Sequence, residues 1–245
     1  MPRSPAVRLF GTGAVALLLG CGGSSTEQYK RGLNAFRHGR AAEARPLLER
    51  FAADGCGPGA VDQRCRKAYV TLGRIYEKQG ALGQAWAAYD SALTFAPHAG
   101  DGAVAADLER AQQALVDRQG GETARGPVLI RYRDEVTEEY NPRSVIVSLD
   151  FEAVLTKDKD ASELHSAEFR KVYGGSVAAG EHLLLVEVVH DCRPSGGVRC
   201  VRSHVRKAWP FQTAAHAPTT VEIRAYAEGG DGDHPARPTL EVSVR

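Results

Sequence analysis

The spacing of apolar residues divides the chain into two parts. From Glu27 to Gln119, apolar residues recur at helical spacing in a stretch rich in alanine, leucine, glutamate and arginine. From about Pro127 onward, short β-branched segments alternate apolar and polar positions, and Gly, Pro, Asp and Asn separate them. The pattern predicts an α+β protein of two domains: a helical domain over 27–119, a linker over 120–126 and an antiparallel β-sandwich over 127–245.

The clearest motif of the helical part is a run of aromatic and small residues at fixed spacing. It reads Tyr69-x2-Leu72-Gly73-x2-Tyr76, followed by Ala85, Tyr89, Ala92 and Pro97. These residues resemble a tetratricopeptide repeat at almost every signature position. In such a hairpin, Gly73 and Ala85 let two helices approach closely, and Pro97 ends the second helix by removing a backbone donor. We therefore predict a repeat over about 66–99.

A second copy of the motif lies upstream, over about 25–58. Its small and apolar positions align with the first motif at a constant offset of 41: Gly32 with Gly73, Gly39 with Gly80, Ala44 with Ala85 and Leu48 with Tyr89. The family period is 34, and the longer offset places a Gly/Pro-rich loop between the copies.

One more amphipathic helix is predicted over 101–118, as a cap for the repeats. Two repeats and one helix are fewer than the three repeats that usually make a stable array. The helical part should therefore pack against another surface, either the following domain or a partner.

The second half of the chain predicts roughly six to eight strands. Six segments carry the β-branched pattern: Val128–Tyr132, Val145–Phe151, Leu183–Val189, Val201–Val205, Thr220–Tyr226 and Leu240–Val244. The polar run Thr156–Ser166 predicts a solvated loop or a short helix. Ala178–Val186 resembles the G-x-H-x-L-x-V start of a strand in PEGA-like envelope β-domains, and this resemblance implies a β-domain of that kind.

The first residues have the organisation of a secretory signal. Arg3 and Arg8 precede an uncharged, leucine-containing stretch and then Leu18-Leu19-Gly20-Cys21. These four residues resemble the lipobox of bacterial lipoproteins. The resemblance implies a signal peptide over 1–20, a diacylglyceryl group on Cys21 as the mature N-terminus, and a tether over 21–26. The apolar run is shorter than the roughly 20 residues of a transmembrane helix. We expect a protein of the bacterial cell envelope, held by its lipid at the periplasmic face of the outer membrane.

The four remaining cysteines form two local pairs, Cys56 with Cys65 and Cys192 with Cys200. Outside the cytosol, such pairs are expected to be disulfides, with free buried thiols as the alternative. His190 and His204 flank the second pair and make a zinc site conceivable. The oxidising compartment favours the disulfide, so no metal is assigned.

The sequence predicts neither an enzyme nor a cofactor. It has no G-x-S-x-G elbow, no H-E-x-x-H, no phosphate loop and no dinucleotide fingerprint. The formal net charge of +1 provides no global basic field for nucleic acid. Function should therefore come from binding surfaces.

The tetratricopeptide resemblance implies that the first helix of each hairpin lines a groove for a peptide or protein. The residues it assigns to that groove are Tyr29, Lys30, Leu33 and Arg37 in the first repeat and Lys67, Val70, Thr71, Arg74 and Glu77 in the second. The leading hypothesis is a lipid-anchored adaptor that binds envelope proteins or peptide segments.

Two alternatives remain open. One is a carbohydrate or peptidoglycan-binding lipoprotein whose sandwich uses Trp209 and Phe211 as a stacking platform. The other is a zinc-binding envelope protein or enzyme built on the histidines and cysteines near 190–204.

Overall fold

In the part of the chain that the computed structural model describes, five α-helices precede eight β-strands and a 3₁₀ turn, confirming the α+β class with a helical first part and a β second part. The residues described are 25–56, 62–95, 102–121, 124–136, 140–158, 161–192, 202–229 and 236–245. Cys21, Pro97 and Cys200 lie outside these ranges, so the predictions made for them stay predictions.

The helices follow one another as a packed array, α1 on α2, α3 on α4 and α4 on α5. Their bounds are α1 Ser25–Arg37, α2 Ala41–Gly55, α3 Gln63–Gln79, α4 Leu82–Thr94 and α5 Gly102–Gly120. Within the described residues, no helix is both long and apolar enough to cross a membrane.

Glycines bring the two helices of each pair together at equivalent positions. A Cβ added to Gly73 would lie 2.4 Å from the Tyr89 ring, so α3 and α4 meet where only a glycine fits. Gly32 stands in the same relation to Leu48, with 2.8 Å from the added Cβ to the leucine side chain. Both contacts follow the alignment made at the offset of 41.

The turns inside the two pairs are also equivalent. Gly39 and Gly80 follow α1 and α3 with φ of +73° and +74°, the left-handed conformation that glycine adopts without strain. Between the pairs, Cys56 and Cys65 form the first predicted disulfide, with 5.6 Å between their Cα atoms. It joins the end of α2 to the first turn of α3.

The strands form two four-stranded sheets. Their bounds are β1 Arg125–Glu135, β2 Tyr140–Leu149, β3 Glu152–Lys157, β4 Ser166–Ala178, β5 Gly180–Cys192, β6 Ser203–Thr213, β7 Thr219–Glu228 and β8 Arg237–Val244. The strand orders are β4-β1-β7-β8 and β3-β2-β5-β6. Strands β1 and β7 pair in parallel, with Val128 opposite Thr219. The expectation of a wholly antiparallel sandwich is therefore wrong for this pair.

Two strands lie where no strand was predicted. Strand β3 extends to Lys157, and Ser162–Leu164 forms the 3₁₀ turn inside the polar run Thr156–Ser166. Strand β4 lies at the edge of its sheet and most of its residues are exposed or only partly buried. An edge strand with so few buried positions lacks the apolar alternation by which strands are found in sequence.

The helical part packs on the sandwich, which confirms one of the two options raised by its short length. Helices α4 and α5 contact β5, and α4 also contacts β6. Trp86 of α4 is 3% exposed, and its ring meets Phe151 edge-on at 5.4 Å between centroids. Leu183 of β5 is fully buried in the same cluster. The helices and the second sheet therefore share a hydrophobic core.

Candidate partner-binding surface

The side of the helical array that faces the sandwich is held by specific polar contacts. The Glu181 carboxylate of β5 accepts hydrogen bonds from Leu82 N at 2.9 Å and Gly83 N at 3.0 Å, the first two residues of α4. The preceding residue, Ala81, supplies no side-chain cap. Arg206 of β6 also donates a hydrogen bond to the Asp90 carboxylate of α4. The sandwich therefore caps and covers α4.

Four of the predicted groove residues pack within the array instead of projecting from it. Leu33 is 9% exposed and Thr71 is 6% exposed, and the Thr71 hydroxyl donates to Lys67 O at 2.7 Å. Val70 packs against the cluster shared by α4 and α5, and Tyr29 against an aromatic ring of α2. Their side chains hold the helices together, and they offer a partner little surface.

Glu77 is likewise committed to a contact inside the array. Its carboxylate accepts from Tyr89 Oη at 2.6 Å and from Arg110 Nε at 3.1 Å, so it joins α3, α4 and α5. Hydrogen bonds to Asp107 and Glu77 raise the pKa of Arg110 above its ordinary value. Burial and then the Glu77 hydrogen bond raise the pKa of Tyr89. This network fixes α5 beside α3.

The remaining predicted residues are basic and exposed: Lys30 and Arg37 on α1, and Lys67 and Arg74 on α3. The Arg74 side chain is 53% exposed, with its Nη2 3.6 Å from Asp107 Oδ2. It projects from α3 on the side that faces α5. These four residues are the part of the predicted groove that a partner can reach.

The structure adds Lys78, which the sequence prediction missed. It is exposed near the end of α3, and its Nζ lies 5.6 Å from the centroid of the Phe36 ring on α1. Lys67, Arg74 and Lys78 are spaced by seven and four residues, which places them along one face of a helix. That spacing alone could have identified Lys78 as a surface residue beside Arg74. We call Arg37, Lys67, Arg74 and Lys78 the basic stripe.

Two buried carboxylate–histidine pairs lie in the sandwich. The first joins Asp150, in the turn between β2 and β3, to His182. His182 Nδ1 is 2.6 Å from Asp150 Oδ2, and its Nε2 is 2.7 Å from Ala178 O. Both partners accept hydrogen bonds, so the geometry favours a His182 that donates from both nitrogens. Burial lowers the pKa of His182, but the Asp150 hydrogen bond and charge and the Ala178 carbonyl together raise it above 6.5.

The second pair joins Asp134 of β1 to His190 of β5 and is enclosed between the two sheets. The Asp134 carboxylate accepts from Tyr132 Oη at 2.8 Å and Val136 N at 3.2 Å, and lies 3.0 Å from His190 Nε2. Burial raises the pKa of Asp134, but these partners, His190 first, bring it below its ordinary value. The Asp134 side chain has no exposed surface, and the partly exposed His165 lies 3.4 Å from its other oxygen, so the network links β1 to β5 and reaches the surface only through His165.

The histidines considered as zinc ligands do not converge. Strand pairing places Ser203 opposite His190 and His204 opposite Val189, so the two histidines point to opposite faces of the sheet. His190 is buried, whereas His204 is 55% exposed and pairs with Glu187 at 3.0 Å. The described residues contain no group of three or more His, Cys, Asp or Glu side chains that could hold a metal ion.

The aromatic platform proposed for glycan binding is largely taken up by the core of the sandwich. Phe211 is 5% exposed and belongs to the core of the sandwich. Trp209 is partly buried against that core, with Lys207 Nζ 4.8 Å from its ring centroid. Phe211 therefore offers a sugar no surface, and Trp209 offers only the part that the core and Lys207 leave uncovered.

Comparison of the chain with family models, with curated proteins and with solved structures gives no match.

Proposed function

We propose that this protein is a lipid-anchored adaptor of the bacterial cell envelope, which binds other envelope proteins through the open side of its helical array. The observation that carries the proposal is the division of the array into two sides. The sandwich covers α4 through Trp86 and Glu181, whereas α1 and α3 keep a row of exposed side chains. A surface that the protein's own second domain leaves open is available to a partner.

The repeated hairpin geometry supports the assignment of that open side as a tetratricopeptide-like groove. Gly32 with Leu48 and Gly73 with Tyr89 are equivalent close contacts between a first and a second helix. In repeat arrays of this type, the first helices line the recognition face. Here the first helices are α1 and α3, and α5 lies beside α3 in the third position.

The proposed anchor places the array close to the membrane. Cys21 precedes the first residue of α1, Ser25, by only four positions. A diacylglyceryl group on Cys21 would hold the helices near the bilayer while the sandwich follows. Cys21→Ser should shift the protein from the membrane fraction to the soluble fraction or leave an uncleaved precursor. Unchanged processing and fractionation would contradict the anchor.

Co-isolation from detergent-solubilised membranes tests the binding surface. The Arg74→Glu variant should recover less partner than the wild type, because Arg74 is exposed in the middle of the open side. Since Arg74 also pairs with Asp107, the matched control is Asp107→Asn, which removes the charge of Asp107 from Arg74 and Arg110 and leaves Arg74 in place. Arg170→Glu, on the exposed edge strand β4, controls for net charge.

Both controls should retain the partner, and all variants should keep the wild-type melting temperature within a few degrees. Equal partner recovery by Arg74→Glu and the wild type would contradict the assigned surface.

A further inference from the structure

The positive charge of the helical part is concentrated on α1 and α3. Helix α1 contains three Lys or Arg and one acidic residue, and α3 contains five and one. Helices α2, α4 and α5 each contain one more acidic residue than basic residues. The whole chain has a formal net charge of only +1. The excess of cations on these two helices is therefore local.

Three of the four cations of the basic stripe have no ion-pair partner among the residues that the structure describes, and the fourth, Arg74, has only a long contact. No carboxylate oxygen of a described residue lies within 4.0 Å of a side-chain nitrogen of Arg37, Lys67 or Lys78. Arg74 reaches Asp107 only at 3.6 Å, and Asp107 has Arg110 as a closer partner at 2.5 Å. Like charges in a row repel one another, so an arrangement that keeps them unpaired favours an anionic ligand.

The acidic groups nearest the stripe are already engaged. Glu77 accepts from Arg110 and so joins α3 to α5, and Asp107 accepts from Arg110 within α5. They do not turn back to neutralise Lys67 or Lys78. Lys67 and Lys78 therefore keep their positive charge unpaired among the described residues, and Arg74 keeps only its 3.6 Å contact with Asp107.

The length of the stripe indicates the kind of anion. Lys67 and Lys78 are eleven positions apart on one helix, which corresponds to about 16 Å at 1.5 Å per residue. One phosphate or carboxylate cannot bridge that distance. An extended peptide covers it with about five residues at about 3.3 Å each, so two or three carboxylates on one segment could pair with the stripe together.

We propose that the partner segment recognised by the open side is acidic, and that it lies along the basic stripe with its carboxylates paired to Arg37, Lys67, Arg74 and Lys78. This inference rests on the proposed adaptor function and specifies the chemistry of the partner. It makes recognition dependent on ionic strength, because the Debye length falls from about 10 Å at 0.1 M to about 3 Å at 1 M salt.

A fluorescein-labelled decapeptide that alternates Glu with Gly or Ser provides the probe. Its fluorescence anisotropy is measured against the full mature protein in a neutral detergent, at 50 and 300 mM NaCl. The acidic peptide should bind and weaken at the higher salt, and the same peptide with Lys in place of Glu should not bind. The double variant Lys67→Glu/Lys78→Glu should weaken binding about tenfold or more, since two attractions become repulsions. The matched control is Lys171→Glu, an exposed lysine of β4, which should bind as the wild type does.

Three outcomes would overturn the inference. One is acidic-peptide binding that the double variant leaves unchanged. Another is no peptide binding at all, and a third is binding only to vesicles that contain anionic phospholipid, which would assign the stripe to the membrane surface.

The failure of this inference can be told apart from the failure of the adaptor proposal. Partner recovery from membranes that is lost in Arg74→Glu but kept in Lys67→Glu/Lys78→Glu would reject the acidic segment and retain the adaptor. Stripe-dependent peptide binding by a protein that recovers no envelope partner would reject the adaptor alone.

Discussion

Removal of the Glu181 carboxylate should lower the free energy of unfolding, because this side chain of the sandwich accepts the hydrogen bonds of the first N–H groups of α4. The carboxylate is 6% exposed and bonds two backbone N–H groups of α4, Leu82 and Gly83. In Glu181→Ala, both buried donors lose their acceptor. A hydrogen bond to a charged group contributes about 1.5–3 kcal/mol, and loss of a helix N-cap costs about 1 kcal/mol. We expect a loss of about 3 kcal/mol in the free energy of unfolding.

Glu181→Gln separates the hydrogen bonds from the charge. The amide keeps one acceptor oxygen but turns its NH₂ group toward the second donor, so we expect a loss of about 1.5–2 kcal/mol. Glu187→Ala is the matched control on the same strand: its side chain is 38% exposed, and its one ion pair among the described residues is with the exposed His204. That variant should lose less than about 0.5 kcal/mol.

Urea unfolding followed by tryptophan fluorescence measures these changes. The chain has two tryptophans, Trp86 at the junction and Trp209 in the sandwich, so both domains report. A loss below about 0.5 kcal/mol for Glu181→Ala, equal to that of the Glu187 control, would refute the reasoning.

Three further predictions concern stability. Because folding raises the pKa of His182, protonation of His182 stabilises the folded state fully below pH 6.5, and this stabilisation is lost as pH rises through the folded pKa. In His182→Gln, the free energy of unfolding should therefore fall less with pH above 6.5. Urea titrations at a series of pH values measure this difference. Gly73→Ala should lower the free energy of unfolding by about 1–3 kcal/mol, because the added methyl group overpacks against the Tyr89 ring of α4. Gly120→Ala, which has open space around it, should leave the free energy of unfolding unchanged. Thermal melts of the two variants measure this difference. Asp134→Asn should lower the free energy of unfolding by about 3 kcal/mol at pH 7. This loss relative to the wild type should shrink as pH falls through the depressed pKa of Asp134. A loss that stays the same at low pH would contradict an ionised Asp134 in the folded protein.

Periodicity predicts the helices well because each needs only local spacing of apolar residues. The predicted helix over 101–118 is observed as Gly102–Gly120, and the turn glycines Gly39 and Gly80 lie where the aligned copies place them. Strands β3 and β4 escape prediction because edge strands need not alternate. The parallel pairing of β1 with β7 joins segments that are far apart in the chain, and no local pattern reports such a pairing.

In the candidate site, too, local spacing predicts some residues and tertiary packing decides the others. Exposure of Lys67 and Arg74 follows from their place on a helix, opposite the small residues of the hairpin seam. The internal role of Glu77 depends on Arg110, which a separate helix brings within 3.1 Å. Likewise, Glu181 caps α4 from a distance of 98 positions in the chain. Contacts of this kind arise from tertiary packing and leave no signal in sequence spacing.

Site-specific photo-cross-linking in intact cells tests the central claim most directly. A photoreactive amino acid replaces Lys67 or Arg37 on the open side, and Lys171 on β4 serves as the control position. The account predicts adducts of the same mass from positions 67 and 37, containing one envelope protein, and no such adduct from position 171. Adducts formed from position 171 alone, with none from positions 67 and 37, would contradict a partner on the open side of the helical array.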